Sequence, residues 1–237
     1  MSRPARRVVS LVPSLTEALA ATRPDALVGA TDWCTHPADI EVTRVRGTKN
    51  PDVASIRALE PDLVIANQEE NRELDVRRLR EAGVPVWVTR IRTLDEAFAS
   101  MRRMFAALGW ESPAWLDAAE SAWSTPGQDG RSVAVAIWRD PWMVVGSQTF
   151  TGDVLSRLGL VNVFADSEER YPHVSVPDVL ARRPDVIVLP DEPYRFTADD
   201  GPEAFPTGRC RLVEGRALTW YGPSLLTARS TLTDQLA

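Results

Sequence analysis

Apolar residues recur at helical spacing through residues 93–123, a stretch that separates two regions with strand-like patterns. The apolar positions with this spacing are Leu94, Phe98, Met101, Phe105 and Leu108. One apolar residue every three or four positions is the pattern of an amphipathic helix. Gly109 interrupts the pattern, and Pro113 suits the first position of a second helix, with Ser112 as its cap. We predict that this stretch is a helical spine joining two lobes.

Short apolar runs alternate with helical segments on both sides of the spine. Before it, strands are predicted at residues 7–12, 26–31, 62–66 and 85–89. After it, strands are predicted at residues 132–138, 142–145, 161–164, 185–189 and 217–220. Continuous apolar strands suit a parallel sheet that is covered on both faces. The predicted fold is therefore α/β, with two Rossmann-like lobes (residues 1–92 and 126–237), a helical linker (93–125) and a ligand-binding cleft between the lobes.

Cap and turn residues predict where several elements begin. Ser14 and Glu17 have the spacing of a capping box, in which each residue bonds the other's backbone amide, so a helix is expected to start there. Asn50 and Pro51 predict the cap and the first residue of another helix. Residues 194–209 contain scattered Pro and Gly and are predicted to form a loop.

One short pattern occurs twice. Residues 57–66 (RALEPDLVIA) parallel residues 180–189 (LARRPDVIVL). Both begin with the end of a predicted helix, continue through Pro-Asp and finish in an apolar strand. The repeat supports two lobes built in the same way.

Charge and the sequence start exclude several classes of partner. A net charge of −6 and a pI near 5.1 argue against nucleic acid and anionic membranes as partners. No run of about 18 apolar residues is present, so membrane insertion is not expected. No signal peptide is recognisable, which predicts a cytoplasmic location if Met1 is the native start. A leader removed before Met1 would leave the same sequence.

The residues that follow the predicted strands are rich in tryptophan and polar side chains. They include Ser14, Trp33, Cys34, His36, Asn67, Glu70, Trp138, Trp142, Trp220 and Tyr221. In open parallel sheets, ligands bind outside the carboxyl ends of the strands. This composition suits a flat, partly apolar ligand with hydrogen-bonding edges. Ordinary packing of each tryptophan is the alternative.

Metal binding is a second hypothesis for the same loops. Cys34 and His36 lie in one predicted lobe and His173 in the other, where they could oppose each other around a metal or a metal-bearing cofactor. The alternative is a buried cysteine beside hydrogen-bonding histidines. The two cysteines, Cys34 and Cys210, make no disulfide framework, although a single bridge between them stays open.

Signatures of catalysis are absent from the sequence. It lacks the nucleophile elbow, the phosphate-binding loop, the zinc-protease motif and the dinucleotide fingerprint. Glu69 and Glu70 could be a paired acid and base, but a solvated helix N-terminus also favours negative charge. Lys49 could be a cation in the cleft or an ordinary surface residue. The sequence therefore predicts a protein that is not an enzyme.

Several segments resemble the class III substrate-binding proteins, also called helical-backbone metal receptors. They are residues 7–17 (RVVSLVPSLTE), 27–32 (LVGATD), 61–66 (PDLVIA) and 179–188 (VLARRPDVIV). The resemblance covers nearly the whole chain and is strongest with the cobalamin-binding branch. It implies two α/β lobes, a rigid helical linker and a ligand held between the lobes. It also implies that residues matching Trp33, Thr48, Asn67, Trp142 or Met143, and Tyr171 line the cleft.

The chain departs from the family at the positions that dock on a transporter. Family members that deliver ligand to an ABC permease carry one glutamate on each lobe, and by this resemblance the matching positions are Ala54 and Pro177. Asp52 and Asp178 lie close by and could partly substitute. Together with the unrecognised export signal, these departures predict that docking on an ABC permease does not occur.

The leading hypothesis is a small-molecule binding protein that holds a corrinoid or another metal chelate, with no cofactor assigned beyond that ligand. The ligand-contact candidates are Ser14, Trp33, His36, Lys49, Asn67, Glu70, Trp142, Tyr171 and Trp220. One alternative is the substrate-binding subunit of a cobalamin or iron-siderophore ABC importer. Another is a metal-binding enzyme or metallochaperone that uses Cys34, His36 and His173. A third is an interaction module with an empty cleft.

Overall fold

The computed structural model describes residues 3–237, which form two compact units. The first unit contains the residues up to Ile91, Glu96–Asp117 and Tyr221–Pro223. The second contains Arg92–Asp95, Ala118–Trp220 and Ser224–Ala237. The two helices of the predicted spine, α4 (Leu94–Ala107) and α5 (Ala114–Ala122), therefore contribute residues to both units.

The first unit is built on a parallel sheet of five strands. Its elements are β1 (Val8–Ser10), α1 (Pro13–Thr22), β2 (Leu27–Ala30), β3 (Thr43–Arg44), β4 (Arg46–Gly47), β5 (Asn50–Pro51), α2 (Val53–Ala58), β6 (Leu63–Asn67), α3 (Glu73–Glu81) and β7 (Val86–Thr89). The sheet has the order β3-β2-β1-β6-β7, and each neighbouring pair is parallel. The strands β4 and β5 form a separate antiparallel hairpin.

The second unit is also built on a parallel sheet. Its elements are β8 (Ser132–Trp138), β9 (Met143–Val144), α6 (Phe150–Arg157), β10 (Val161–Asn162), α7 (Val176–Ala181), β11 (Val186–Pro190), β12 (Cys210–Val213), α8 (Gly215–Thr219) and α9 (Leu225–Leu236). The parallel strands have the order β10-β8-β11-β12, and β9 pairs antiparallel with β8. Two α/β units with parallel sheets confirm the predicted fold class.

The apolar pattern of the sequence matches burial in both units. In the first, Val9 and Val64 of the sheet pack in one core with Ile56 of α2 and Leu79 of α3. The five apolar positions predicted for the long helix are all buried. Central strands that lie between helix layers must be apolar on both faces, which explains their unbroken apolar runs.

The repeated Pro-Asp segment performs the same structural task in each unit. Asp62 Oδ2, just before β6, accepts hydrogen bonds from the amides of Arg6 and Arg7 at 2.7 and 2.9 Å. Asp185 Oδ2, just before β11, accepts from the amide and the hydroxyl of Ser132 at 2.7 Å each. Each aspartate thus anchors the start of the neighbouring central strand, since these amides precede β1 or begin β8.

Two predicted helix starts are wrong. Helix α1 begins at Pro13 rather than at a Ser14 cap, because proline is preorganised for the first helical position and the extended residue before it is Val12. Asn50 and Pro51 pair in the hairpin instead of starting a helix. The cap of α2 is Asp52, whose Oδ1 accepts from the amides of Ala54 and Ser55 at 3.1 Å each.

Near the carboxyl terminus, one strand and one helix differ from the sequence prediction. Residues 217–220 belong to the end of α8 and its cap rather than to a strand, since a short apolar run fits either element. The strand β12 was not predicted, because its residues follow a Pro- and Gly-rich loop and include a charged side chain. It pairs with β11 at the edge of the sheet.

Candidate functional site

The loop after β2 presents an exposed indole at the carboxyl edge of the first sheet. The Trp33 side chain is 68% exposed. Arg44 Nη1 holds this loop in place by donating to the carbonyls of Thr31 and Cys34 at 2.9 and 2.8 Å. Gly47 of the hairpin lies beside the ring, because a Cβ added at this glycine would be 3.3 Å from Trp33 Nε1. An exposed tryptophan on a braced loop is suited to stacking against a ligand.

The loop after β6 is organised by the amide of Asn67. This side chain is 2% exposed. Its Oδ1 accepts from the amide of Glu69 at 2.7 Å, and its Nδ2 donates to Thr89 Oγ1 at 3.1 Å and to Tyr221 OH at 2.8 Å. The predicted contact residue Asn67 therefore shapes the loop that carries Glu69 and Glu70.

Lys49 and Asn71 connect the hairpin to the same loop. Lys49 Nζ donates to the carbonyl of Glu69 at 2.5 Å. Asn71 Nδ2 donates to the carbonyls of Thr48 and Leu11 at 3.0 and 3.2 Å. Lys49 thus bonds a loop carbonyl of its own chain, and its assignment as a ligand contact stays a prediction.

Ser14 lies in the first turn of α1, just beyond the carboxyl end of β1. Its side chain is 3% exposed, and Oγ has no hydrogen-bond partner within residues 3–237. A buried hydroxyl without a partner is unfavourable by about 1–3 kcal/mol. Ser14 Oγ is therefore a polar atom for which an added hydrogen-bonding group would be stabilising.

Cys34 has the environment of a structural cysteine. Its Sγ lies 3.0 Å from Thr16 Oγ1 and 3.1 Å from Thr31 Oγ1, in a buried site. Burial raises the pKa of the Cys34 thiol, which favours the neutral form over the thiolate that binds metals. Cys34 and Cys210 are both free.

The histidines lie in loops of different character. His36 Nδ1 is 3.2 Å from Thr35 Oγ1, whereas His173 is exposed and forms an isolated backbone bridge with Met143. The part of the chain that the structure describes contains no group of three or more His, Cys, Asp or Glu side chains arranged to hold a metal ion. The metal-ligand assignment of Cys34, His36 and His173 stays a prediction.

An aromatic cluster follows β8 and β11 at the carboxyl edge of the second sheet. Trp142 stacks on Phe196, with ring centroids 5.8 Å apart, and meets Phe205 edge-on at 5.0 Å. Trp142 is therefore half-buried within the core of this unit. The exposed ring at this edge is Trp138, 44% exposed and edge-on to Tyr194 at 5.5 Å.

Charged side chains fix the aromatic cluster. The Arg139 guanidinium lies over the Trp142 ring, 5.5 Å from its centroid, and pairs with Asp200 and Glu203. Tyr194 OH donates to Asp200 Oδ2 at 2.7 Å. The sequence did not single out Tyr194, because it lies in a segment predicted only as a loop.

Tyr171 lies in a different loop of the second unit. Its ring is half-buried, and the Arg170 guanidinium is 5.6 Å from the ring centroid. The carbonyl of Arg170 accepts from the amide of Gly146 at 2.8 Å, which fixes the backbone next to Tyr171.

Trp220 and Glu192 form a pair that the sequence did not reveal. Trp220 is buried beneath Arg216, whose guanidinium is 5.7 Å from the ring centroid. The Trp220 side chain hydrogen-bonds the carboxyl group of Glu192. Burial, and then the nearby charge of Asp191, raise the pKa of Glu192 to about 7. Glu192 lies two residues beyond β11, at the same edge as the aromatic cluster.

Comparison with known proteins places the chain among binding proteins. No protein-family model matches it. It is 30% identical to the vitamin B12-binding protein of Vibrio cholerae over 197 residues, which cover 78% of this chain and 70% of that protein. The crystal structure of the periplasmic vitamin B12 binding protein of Vibrio cholerae matches with a TM-score of 0.77 at 24% identity, covering 98% of this chain and 97% of that chain. A periplasmic heme-binding protein from Pseudomonas aeruginosa matches with a TM-score of 0.78 at 23% identity, covering 97% and 91%.

Two α/β units with parallel sheets, together with this kinship, identify the chain as a class III substrate-binding protein, a type of small-molecule-binding protein. The relatives are binding proteins rather than enzymes. The chain belongs to the vitamin B12-binding protein family, the cobalamin branch of this class.

The predicted cytoplasmic location is wrong. The matching structures from Vibrio cholerae and Pseudomonas aeruginosa are periplasmic proteins. The prediction depended on the start of the sequence, which does not reveal whether a leader precedes it. Within residues 3–237, no helix has the length and apolar character needed to cross a membrane.

Proposed function

We propose that this protein binds a corrinoid such as cobalamin, and does so outside the cytoplasm as its relatives do. The observation that carries the proposal is the exposed Trp33 indole, held on a braced loop at the carboxyl edge of the first sheet. The kinship with vitamin B12-binding proteins supports the choice of ligand. A corrin ring offers a broad, partly apolar face, which an indole can cover while it excludes water.

Polar groups near the same edges are suited to the amide periphery of such a ligand. Ser14 Oγ is buried without a partner in the described chain, and it can donate or accept a hydrogen bond. Trp138 supplies a second exposed ring, at the edge of the other unit. The cleft expected between the lobes and the contact residues expected to line it stay predictions.

The protein is proposed to bind its ligand without transforming it. Cys34 is buried and its thiol pKa is raised, which disfavours a nucleophilic thiolate. Lys49 bonds the carbonyl of Glu69. These contacts support a binding role rather than catalysis, in agreement with relatives that are named as binding proteins.

Docking on a permease through a pair of glutamates is proposed not to occur. Ala54 and Pro177 are exposed in the first turns of α2 and α7, where the family resemblance expects glutamates. The neighbouring carboxylates already cap these helices. Asp52 bonds the amides of Ala54 and Ser55, and Asp178 forms a capping box with Ser175. Both caps favour the ionised carboxylates and lower their pKa values, so the aspartates are held as capping groups.

A binding assay tests the proposed ligand. Purified protein would be titrated by calorimetry with aquocobalamin, haem and a ferric siderophore in parallel. Saturable one-to-one binding of aquocobalamin, weakened at least tenfold by Trp33→Ala, is expected. Trp115→Phe is the matched control, because Trp115 Nε1 bonds Thr22 at the far end of α1. Absence of aquocobalamin binding, or equal binding by the Trp33→Ala variant, would contradict the proposal.

A gain-of-function variant tests the docking proposal. Ala54→Glu and Pro177→Glu together restore one carboxylate on each unit. Pull-down with a cobalamin permease in nanodiscs should detect complex formation by the double variant and none by the wild type. The control replaces the same residues with glutamine, which adds side-chain bulk without charge. Capture of the wild type at the level of the double variant would contradict this part of the proposal.

A further inference from the structure

Glu192 lies in the loop after β11, at the carboxyl edge of the second sheet. It follows β11 by two residues, and Tyr194 of the aromatic cluster follows it by two more. The backbone leaves little room around it, because a Cβ added at Gly215 would lie 2.5 Å from Glu192 Cγ and 2.7 Å from its carbonyl oxygen. The close approach of Gly215 therefore fixes where the carboxyl group can lie.

The Glu192 carboxyl group does not use all of its hydrogen-bonding capacity within the described residues. The Trp220 side chain hydrogen-bonds it, yet Oε1 is buried without a hydrogen-bond partner among the described residues. An ionised carboxylate in such a site would lack the hydrogen bonds that normally stabilise buried charge. The neutral form has an O–H donor and a carbonyl acceptor. It also loses less hydration free energy than the charged form when it is removed from water.

The charges that face Glu192 reinforce this preference. Asp191 precedes it in the same loop, and its Oδ1 accepts from the amide of Gly215 at 2.7 Å. Glu214 and Arg216 lie at the start of α8, 3.6 Å apart as an ion pair. The two acids disfavour a third negative charge, whereas Arg216 partly offsets them. The pKa of Glu192 is raised to about 7 as a result, so its charge changes near neutral pH.

We propose that Glu192 contacts the bound ligand with a neutral carboxyl group, and that ligand binding is therefore linked to proton uptake. This inference deepens the proposed function, on which it rests. A neutral carboxyl offers one donor and one acceptor side by side, which is complementary to a primary carboxamide. A ligand carboxylate at the same place would meet Asp191 and Glu214 and is disfavoured.

The pH dependence of binding tests the inference. Cyanocobalamin, whose ring carries neutral amides, would be titrated into the wild type at intervals from about pH 5.5 to about pH 8.5. If only the protonated form binds, the dissociation constant increases about 30-fold between these limits. A wild-type affinity that is constant over this range would overturn the inference and leave the proposed function intact.

Three variants identify the titrating group. Glu192→Gln mimics the neutral carboxyl and should bind at every pH within about threefold of the wild type at low pH. Glu192→Ala lacks both the donor and the acceptor and should bind weakly throughout. Glu214→Gln is the matched control, which should keep the pH dependence but move its midpoint downward, because one facing negative charge is gone.

The possible outcomes distinguish failure of this inference from failure of the proposed corrinoid binding. A Glu192→Gln variant that retains the wild-type pH profile would overturn the inference, since another group would then titrate. Absence of cyanocobalamin binding at every pH would overturn the proposed function and this inference with it. Circular dichroism of each variant confirms that the compared proteins are folded.

Discussion

Asn67 and Tyr221 are joined by a buried hydrogen bond, with Nδ2 of the asparagine donating to the tyrosine hydroxyl at 2.8 Å. The two residues are 154 positions apart in the sequence, and both belong to the first unit. The bond fixes the loop after β6 to a segment contributed from near the carboxyl terminus. The first unit is therefore completed only when that late segment is in place.

Removal of this bond should lower the free energy of unfolding. Tyr221→Phe leaves Asn67 Nδ2 with one acceptor fewer in a buried site, which should lower stability by about 1–2 kcal/mol. Asn67→Ala removes several bonds at once and should lower it by about 3 kcal/mol. Urea denaturation followed by fluorescence measures both. Thr35→Val, in an exposed loop position, is a control that should change stability little, and equal stability of all four proteins would refute the assigned role of Asn67.

Glu192 should make the stability of the protein fall as pH rises through the weakly acidic range. The pKa of a glutamate in an unfolded chain is near 4.3, whereas that of folded Glu192 is raised to about 7. Between these two pKa values the folded state binds more protons than the unfolded state. The stabilising contribution of Glu192 to the free energy of unfolding is therefore fully present below the unfolded pKa and is lost as pH rises to about 7.

Glu192→Gln should remove this loss. Near pH 8 the variant is expected to be more stable than the wild type by roughly 1–2 kcal/mol, after allowance for partial exposure of the group. Below about pH 4 the two should be equally stable, because both side chains are then neutral. Thermal unfolding at both pH values measures the difference. A stability gain that is the same at both would mean that Gln improves packing and that Glu192 does not titrate as described.

Loss of two predicted contact rings should weaken ligand binding. A variant with both Trp33→Ala and Tyr171→Ala is expected to bind aquocobalamin more than tenfold less tightly, which is at least about 1.4 kcal/mol. Tryptophan fluorescence with inner-filter correction measures the dissociation constant. The Trp115→Phe variant should bind as the wild type does. Unchanged affinity of the double variant would remove these two residues from the site.

The Cys34 thiol should react slowly in the folded protein. Burial raises its pKa, and the reactive thiolate is correspondingly scarce near pH 8. In a Cys210→Ser variant, a thiol-specific chromogenic disulfide should label almost nothing before unfolding and one thiol per chain in concentrated guanidinium. Rapid labelling of the folded variant would show that Cys34 is accessible and would support the metal-ligand hypothesis. A Cys34→Ser, Cys210→Ser double variant gives the background rate.

Regular elements were predicted well where the pattern was long or strongly apolar. Residues 132–138 form the strand β8 with the predicted bounds, and the five apolar positions predicted for the spine are all buried. Cap residues were less informative, because Ser14 and Asn50 carry cap side chains in segments whose backbone is set by Pro13 and by the hairpin. At Ser14 the conformation preferred by Pro13, and at Asn50 the pairing of two strands, outweighed the preference of these side chains for helix N-cap positions.

The site was harder to predict than the fold. Trp142 was the ligand-contact candidate after β8, but sequence alone could not show that Trp142 is half-buried and Trp138 exposed, since exposure depends on Phe196 and Phe205 from a distant loop. Glu192 was missed for the same reason. Its raised pKa comes first from burial and then from the charges of Asp191 and Glu214, and only folding buries the side chain and brings Glu214 to it.

The matching anchors of Asp62 and Asp185 have a consequence for protein engineering. In both units a residue with positive φ, Glu60 at 44° or Arg183 at 50°, precedes the Pro-Asp pair and the central strand. The segment from that residue through its strand can therefore be exchanged as one piece, because it carries the aspartate that hydrogen-bonds the start of the neighbouring strand. We expect chimeras that exchange residues 60–66 and 183–189 to retain both attachments, so that new ligand-binding loops can be installed after either strand without redesign of the sheets.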